Sequence, residues 1–224
     1  MPNPPRVYID TCILKHSSIA LRRLRPRQKR VAWGDKVHTV TVHDLVTFNP
    51  NDRITDRNLK VEVDLLSLLA EAGKLGEVKY VIQSETRFES WGLRNMDSVT
   101  DKFYGVPLEE EDPPIYYERC VLGFLVPDPK QAQFDFLTRI QDRRFLQLQR
   151  MTGAYQGKKP LVRRQLLDAW HLWCAEHNSC EYFLTTDFAL IRTIANNKAK
   201  PNVSLVKPSE LIAALRGATR TRRM

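Results

Sequence analysis

Apolar residues in this chain fall into two rhythms that alternate from end to end. Val7, Tyr8 and Ile9 make a short unbroken apolar run, which predicts a buried strand over residues 6–10. Residues 11–24 carry Ile13, Leu14, Ile19 and Leu21, a spacing that predicts a helix opened by Thr11 and ended by Pro26. From 31 to 47 the period drops to two. Val31 and Trp33 precede the turn signal Gly34-Asp35, and Val37, Thr39, Thr41, Val42, Leu45 and Val46 follow it, predicting a β-hairpin. Asn49-Pro50-Asn51-Asp52 closes the segment as a loop.

Residues 58–72 return to helical spacing and stop at Gly73; residues 78–83 read as a strand, and a helix follows from Glu85 to Trp91. Residues 92–114, with three prolines and the acidic run Glu109-Glu110-Glu111-Asp112, read as a loop. Helices are predicted over 115–124 and 130–151, and a basic linker over 153–160. A long apolar helix over 161–177, a strand over 181–185 and a helix over 188–196 come next. A strand over 203–206 and a helix over 209–215, capped by Ser209, complete the chain. Strands alternating with helices indicate an α/β fold around a mainly parallel sheet, and 224 residues suit one well-cored domain with insertions.

Composition narrows the function classes. No apolar run approaches the roughly 18 residues of a membrane span, and the opening Met-Pro-Asn-Pro-Pro-Arg lacks the apolar stretch of a secretory signal. A cytoplasmic protein is expected. Cys12, Cys120, Cys174 and Cys180 show no disulfide-scaffold spacing, which fits a reducing compartment. His171, Cys174, His177 and Cys180 recur at every third residue, but such steps drift around a helix and do not face one zinc ion unless the helix breaks. Buried thiols and a packed histidine are the plainer account.

The formal charge is +9, from 35 Lys and Arg against 26 Asp and Glu. The excess is clustered at Arg22, Arg23, Arg25, Arg27, Lys29 and Arg30, at Lys158, Lys159, Arg163 and Arg164, and at Arg216, Arg220, Arg222 and Arg223. Such clusters suit a polyanion held by its phosphates, although the last run also reads as a solvated tail.

Against this basic background, carboxylates stand at the edges of apolar segments: Asp10 after Tyr8-Ile9, Glu85 and Glu89 after residues 80–83, Asp168 after Leu166-Leu167, and Asp187 after residues 182–186. In open α/β sheets ligands bind beyond the carboxyl ends of the strands. Carboxylates converging there at about 4 Å repel by roughly 4 kcal/mol a pair at an effective dielectric near 20. A hard divalent cation relieves that repulsion through all-oxygen ligation. Helix capping is the bland alternative for any one of them. It does not account for Asp168, inside an apolar helix, or for Glu89, one turn into another.

The same residues carry a resemblance. Tyr8-Ile9-Asp10-Thr11-Cys12-Ile13-Leu14, Ser84 with Glu89, Asp168 with Ala175, Leu184-Thr185-Thr186-Asp187 and Val206-Lys207-Pro208-Ser209-Glu210-Leu211 resemble, in order and spacing, the successive motifs of the PIN domain, a metal-dependent ribonuclease fold that includes toxins of toxin–antitoxin pairs. The resemblance covers about 6–24, 59–91 and 163–215; residues 25–57 and 92–160 look like insertions into a single PIN-like domain, one a basic run with a hairpin and the other a loop with extra helices. It implies a three-layer α/β/α fold and an endoribonuclease that holds Mg²⁺ or Mn²⁺ with Asp10, Glu89, Asp168 and Asp187, or an RNA-processing enzyme of the same chemistry. RNA is the implied substrate, with an antitoxin, another protein or a second copy of the chain as partner. The alternatives are a PIN-like module that binds nucleic acid without turnover and a protein scaffold.

Within this set, Glu89 has the family spacing, while Glu85 lies four residues earlier on the same helical face and nearer the strand end. Thr11 and Thr185 bring hydroxyls to the same edge, and a salt bridge to Arg164, one turn back, is the alternative to a metal role for Asp168. Arg22, Arg23, Lys158, Lys159, Arg163, Arg164 and His171 are the candidate RNA contacts, with His171 sharing the face of Asp168 yet also readable as a packed histidine. Trp33, Trp170 and Trp173 are possible stacking platforms, the latter two more in keeping with a core. Glu62 and Asp64 read as a solvated helix face. Neither a glycine-rich phosphate loop nor a Ser-His-Asp arrangement is present in the sequence.

Overall fold

The computed structural model describes residues 3–90, 101–116, 128–155 and 160–221. Strand β1 (Arg6–Ile9) leads into helix α1 (Thr11–Ser17), and the strands β2 (Leu21–Trp33) and β3 (Lys36–Phe48) form a hairpin. Next come α2 (Arg57–Asp64), α3 (Leu66–Lys74), β4 (Lys79–Gln83), α4 (Ser84–Ser90) and β5 (Leu108–Glu111). The helices α5 (Pro129–Arg139), α6 (Arg143–Thr152) and α7 (Arg163–His177) precede β6 (Tyr182–Leu184), α8 (Phe188–Ala195), β7 (Ser204–Val206) and α9 (Pro208–Thr221).

Five strands make one sheet in the order β5-β4-β1-β6-β7, with every neighbouring pair parallel. Side chains alternate across it, so each strand feeds two cores. Tyr8, Val81 and Phe183 join Leu148, Trp170 and Leu190 from α6, α7 and α8 on one face. Val7, Ile9, Tyr80, Ile82 and Leu184 meet Ile13, Val63, Leu69 and Leu211 from α1, α2, α3 and α9 on the other. The result is a three-layer α/β/α arrangement. Strand order runs outward from β1 in one direction through β4 and β5, then resumes on its other side with β6. The reversal between β1 and β6 is where such a sheet opens a crevice for ligands.

Several elements differ from the sequence expectation. The helix expected over 11–24 ends at Ser17, and Leu21 already begins β2, so Pro26 lies within a strand. The run from Arg22 to Arg30 thus belongs to a hairpin longer than the period-two stretch alone suggested, and it begins ahead of residue 25. Proline is tolerated there because the ribbon has two open edges. Gly34, with φ of 60°, supplies the left-handed first position of the two-residue turn.

The helix expected over 58–72 is two helices hinged at Leu65, and that over 130–151 is broken before Asp142, whose side chain caps α6. The expected loop over 92–114 contains an edge strand. Glu109, Glu110 and Glu111 lie in β5, their charge balanced by Arg6, Lys79 and Arg87. Ser209 does not cap α9; its N–H and hydroxyl both donate to Glu62, which is buried rather than solvated. The expected helix over 115–124 falls largely outside the described residues, as do Lys158 and Lys159 of the basic linker.

Candidate active site

Each strand of the central trio ends against a helix that carries a polar side chain back over the sheet edge. β1 ends at Asp10, whose backbone N–H bonds Leu184 of β6 and whose carbonyl accepts from Ile13 in α1. β4 runs straight into α4, and the next turn of that helix brings Glu89 to the same edge. β6 is followed by Thr185, Thr186 and Asp187, and Asp187 caps α8 by accepting from the N–H groups of Ala189 and Leu190. α7 lies over the strands and contributes Asp168 and His171.

These residues line one cavity of about 220 Å³, which contains Asp10, Glu89, Asp168 and Asp187 together with Thr11, Cys12, Lys15, Arg164, Leu167 and His171. It sits at the reversal of strand order. A larger groove of about 500 Å³ lies beside α2, α8 and α9. Its Glu62, Lys207 and Glu210 are already bound to one another and to Ser209, so reactive groups are concentrated in the smaller cavity.

Asp10 is held from one side. The Thr185 hydroxyl donates to Oδ2 at 2.5 Å and the Cys12 thiol donates to the same oxygen at 3.0 Å. Thr185 in turn accepts from the N–H of Asp187, and the Cys12 sulfur accepts from the N–H of Thr186. Oδ1 of Asp10 accepts no hydrogen bond from the described residues. Glu89 accepts from the Thr11 hydroxyl at 2.5 Å.

Asp168 accepts no hydrogen bond from the described residues. Its half-buried carboxyl is pushed up to about 7, by burial first and then by the charges of Asp10 and Asp187. His171 is 3% exposed. Its Nδ1 lies 2.9 Å from the Tyr8 hydroxyl, which also meets Thr86. Nε2 faces Glu89 Oε2 at 3.6 Å, an ion-pair distance too long for a hydrogen bond, and no described residue bonds it. Burial alone would lower this imidazole; Glu89, Asp10 and Asp168 together raise it to about 9.

Arg164 pairs with Asp187, not with Asp168 one turn along its own helix. The reason is reach: Arg164 is largely exposed at the start of α7, and the Asp187 carboxylate lies across the cavity rim. Arg163 donates to the Gln133 side chain, which donates to Glu85. Glu85 is buried in that chain of contacts between α4, α5 and α7, apart from the cavity where Glu89 stands. Arg22 and Arg23 are on the hairpin, outside the cavity. Cys174 and Cys180 pack in the core and His177 is exposed, so the every-third-residue His and Cys pattern does not gather.

Three cavity residues, Cys12, Lys15 and Leu167, were not foreseen from the sequence. Cys12 is two residues after Asp10, where α1 begins, and Lys15 is one turn on from Thr11. Helical spacing finds Lys15, at i+4 from Thr11, and Leu167, at i+3 from Arg164, whereas Cys12, at i+2 from Asp10, carries no such signal.

The donor set is all-oxygen carboxylate, which fits a hard divalent cation. No described residue donates to Asp10 Oδ1 or to Asp168, which leaves these oxygens open for one. Among the described residues, no group of three or more His, Cys, Asp or Glu side chains is arranged to hold an ion. Asp187 is drawn to Arg164, Glu89 to Thr11 and Asp10 to Thr185, so the acids share a cavity without meeting at one point. No protein-family model matches the chain, and no curated protein matches it significantly. No described helix is long and apolar enough to cross a membrane.

Proposed function

We propose that this chain is a divalent-metal-dependent endoribonuclease of PIN type, hydrolysing RNA phosphodiester bonds with Asp10, Glu89, Asp168 and Asp187. One observation carries the reading: four carboxylates from four separate segments line one small cavity at the switch point of a parallel sheet. Burying like charges together is costly unless something opposes them, and a structural role would be served as well by neutral side chains.

Mg²⁺ or Mn²⁺, when bound, activates water and balances the charge that develops on the scissile phosphoryl group. The chain's own residues prepare for this. Thr185 and Cys12 hold Asp10 through Oδ2, and Thr11 holds Glu89. Tyr8 orients His171 through Nδ1, leaving Nε2 beside Glu89 with no hydrogen bond to the described residues, and a phosphoryl oxygen that displaces Glu89 would accept from it. Lys15 and Arg164 place two further cations beside the acids, where a phosphate can exchange for a carboxylate partner.

A second reading, a nucleic-acid-binding module without turnover, draws support from Arg164 seated on Asp187 and from the acids not meeting around one point. A cleavage assay on single-stranded and structured RNA separates the two. We expect product in Mg²⁺ or Mn²⁺ and none in EDTA. Asp10→Asn and Glu89→Gln lower kcat/KM by roughly 100-fold or more, whereas Glu85→Gln reduces stability and keeps cleavage. Salt-dependent RNA binding with no metal-dependent product establishes the second reading instead.

A further inference from the structure

The β2–β3 hairpin lies outside the active-site cavity. Each strand has 13 residues, against a usual five or six, and at about 3.4 Å per residue the ribbon extends roughly 40 Å. Almost every residue of both strands is exposed, and away from its base the hairpin makes no extensive contact with another described element. A two-stranded ribbon left alone in water is marginal.

Its register sorts the charge. Directly paired residues share a face, so Arg23, Arg25, Arg27, Lys29 and Lys36 stand on one side with Trp33, while Arg22 and Arg30 stand on the other. Five of the seven Lys and Arg in the hairpin therefore share a face, offset there by Asp44 alone. Four of them follow one another at every second position of β2, a repeat of about 6.8 Å. Arg23, Arg27 and Lys29 lie directly opposite Val46, Val42 and Val40, apolar neighbours of the kind against which long basic side chains lay their aliphatic stems.

Among the described residues, Arg27–Asp44 is the hairpin's one ion pair, and Arg23 stands over the Phe48 ring at its base, with Arg53 on the same ring. Trp33 is 81% exposed beside the Gly34-Asp35 turn. A large indole left that open at the tip of a basic ribbon matches the combination used for single strands: cations that track the backbone and an aromatic ring for an unstacked base.

We propose that this face is a nucleic-acid arm, which holds a single strand by its phosphates along Arg23, Arg25 and Lys29 and stacks a base on Trp33. The choice of nucleic acid among polyanions rests on the nuclease reading of the cavity. The arm itself is tested by binding alone.

The test is fluorescence anisotropy of the full chain with a labelled single-stranded RNA of about 15 nucleotides in EDTA, with a single-stranded DNA of the same sequence in parallel. Arg23→Gln/Arg25→Gln/Lys29→Gln is expected to weaken binding at least about tenfold and to reduce the salt slope by about 2, three contacts at about 0.7 each. Trp33→Ala is expected to weaken it by about fivefold or more. Arg30→Gln/Lys74→Gln/Arg139→Gln removes the same charge elsewhere and is expected to cost less than about threefold. Equal losses from both triple variants, unchanged affinity of the first, or tighter binding to duplex DNA or anionic vesicles overturns the inference. So does light scattering in which Trp33→Ala converts dimers to monomers while RNA binding persists. Because EDTA is present throughout, failure of the arm appears as intact binding, and failure of the nuclease reading as absent product in the separate metal-containing assay.

Discussion

Three of the four cavity acids are held by a side chain from another segment, Asp10 by Thr185, Glu89 by Thr11 and Asp187 by Arg164. A comparable side-chain tether secures the start of the hairpin. His16 Nδ1 is 3.3 Å from Asn51 Oδ1, and the Asn51 amide donates to the carbonyls of His16 and Ser18. Burial above all holds this imidazole below its ordinary value; Asn51 pulls the other way, and the charges of Lys15 and Lys102 add to the depression. The folded state then binds fewer protons than the unfolded chain below pH 6.5. Its stabilising contribution is complete above that pH and is lost as pH falls through the lowered value. Urea denaturation at about pH 7.5 and 5 should show the wild type losing more stability on acidification than His16→Gln. Identical pH slopes would remove His16 from this role. Neither partnership is legible locally, because Asn51 is 35 residues from His16 and Thr185 is 175 from Asp10.

At the scale of elements, close approach explains features that propensity does not. Gly73 reads as a helix stop, yet α3 continues through it to Lys74. A Cβ there would lie 2.6 Å from Tyr80 Cε2 and 2.8 Å from Val106 Cγ1, so the glycine lets α3 approach the sheet. Tyr80 is fully buried and donates its hydroxyl to the Leu69 carbonyl at 2.7 Å, which leaves its ring no easy retreat. Gly73→Ala is therefore expected to destabilise by about 1 to 3 kcal/mol, despite gaining about 1 kcal/mol of helix propensity. A urea midpoint equal to or above wild type would contradict this. β5 makes a related point: three consecutive glutamates oppose strand formation by composition, and Arg6, Lys79 and Arg87 from neighbouring elements reverse the balance.

Across the whole molecule, the two cores flank the sheet and the hairpin stands apart from both. Joining Leu21 to Phe48, which are already paired across the base, through a short turn in place of residues 22–47 should shift Tm by no more than about 4 °C. The excised protein should lose most of its affinity for single-stranded RNA while still cleaving short oligonucleotides. A large drop in Tm would show that the ribbon supports the body of the fold. The local rhythm of apolar and polar residues determined the α/β class, the sheet strands β1, β4, β6 and β7, the hairpin turn at Gly34-Asp35 and the presence of acids at strand edges. These are legible because burial on one or two faces writes a period of 2 or 3.6 directly into the chain. Only the tertiary structure decided that Glu89 enters the cavity while Glu85 turns to Gln133, that Arg164 reaches Asp187 instead of Asp168, that an acidic run becomes an edge strand, and that Glu62 is buried against Ser209. Each depends on partners brought together from distant segments, and sequence periodicity carries no record of which side chains meet.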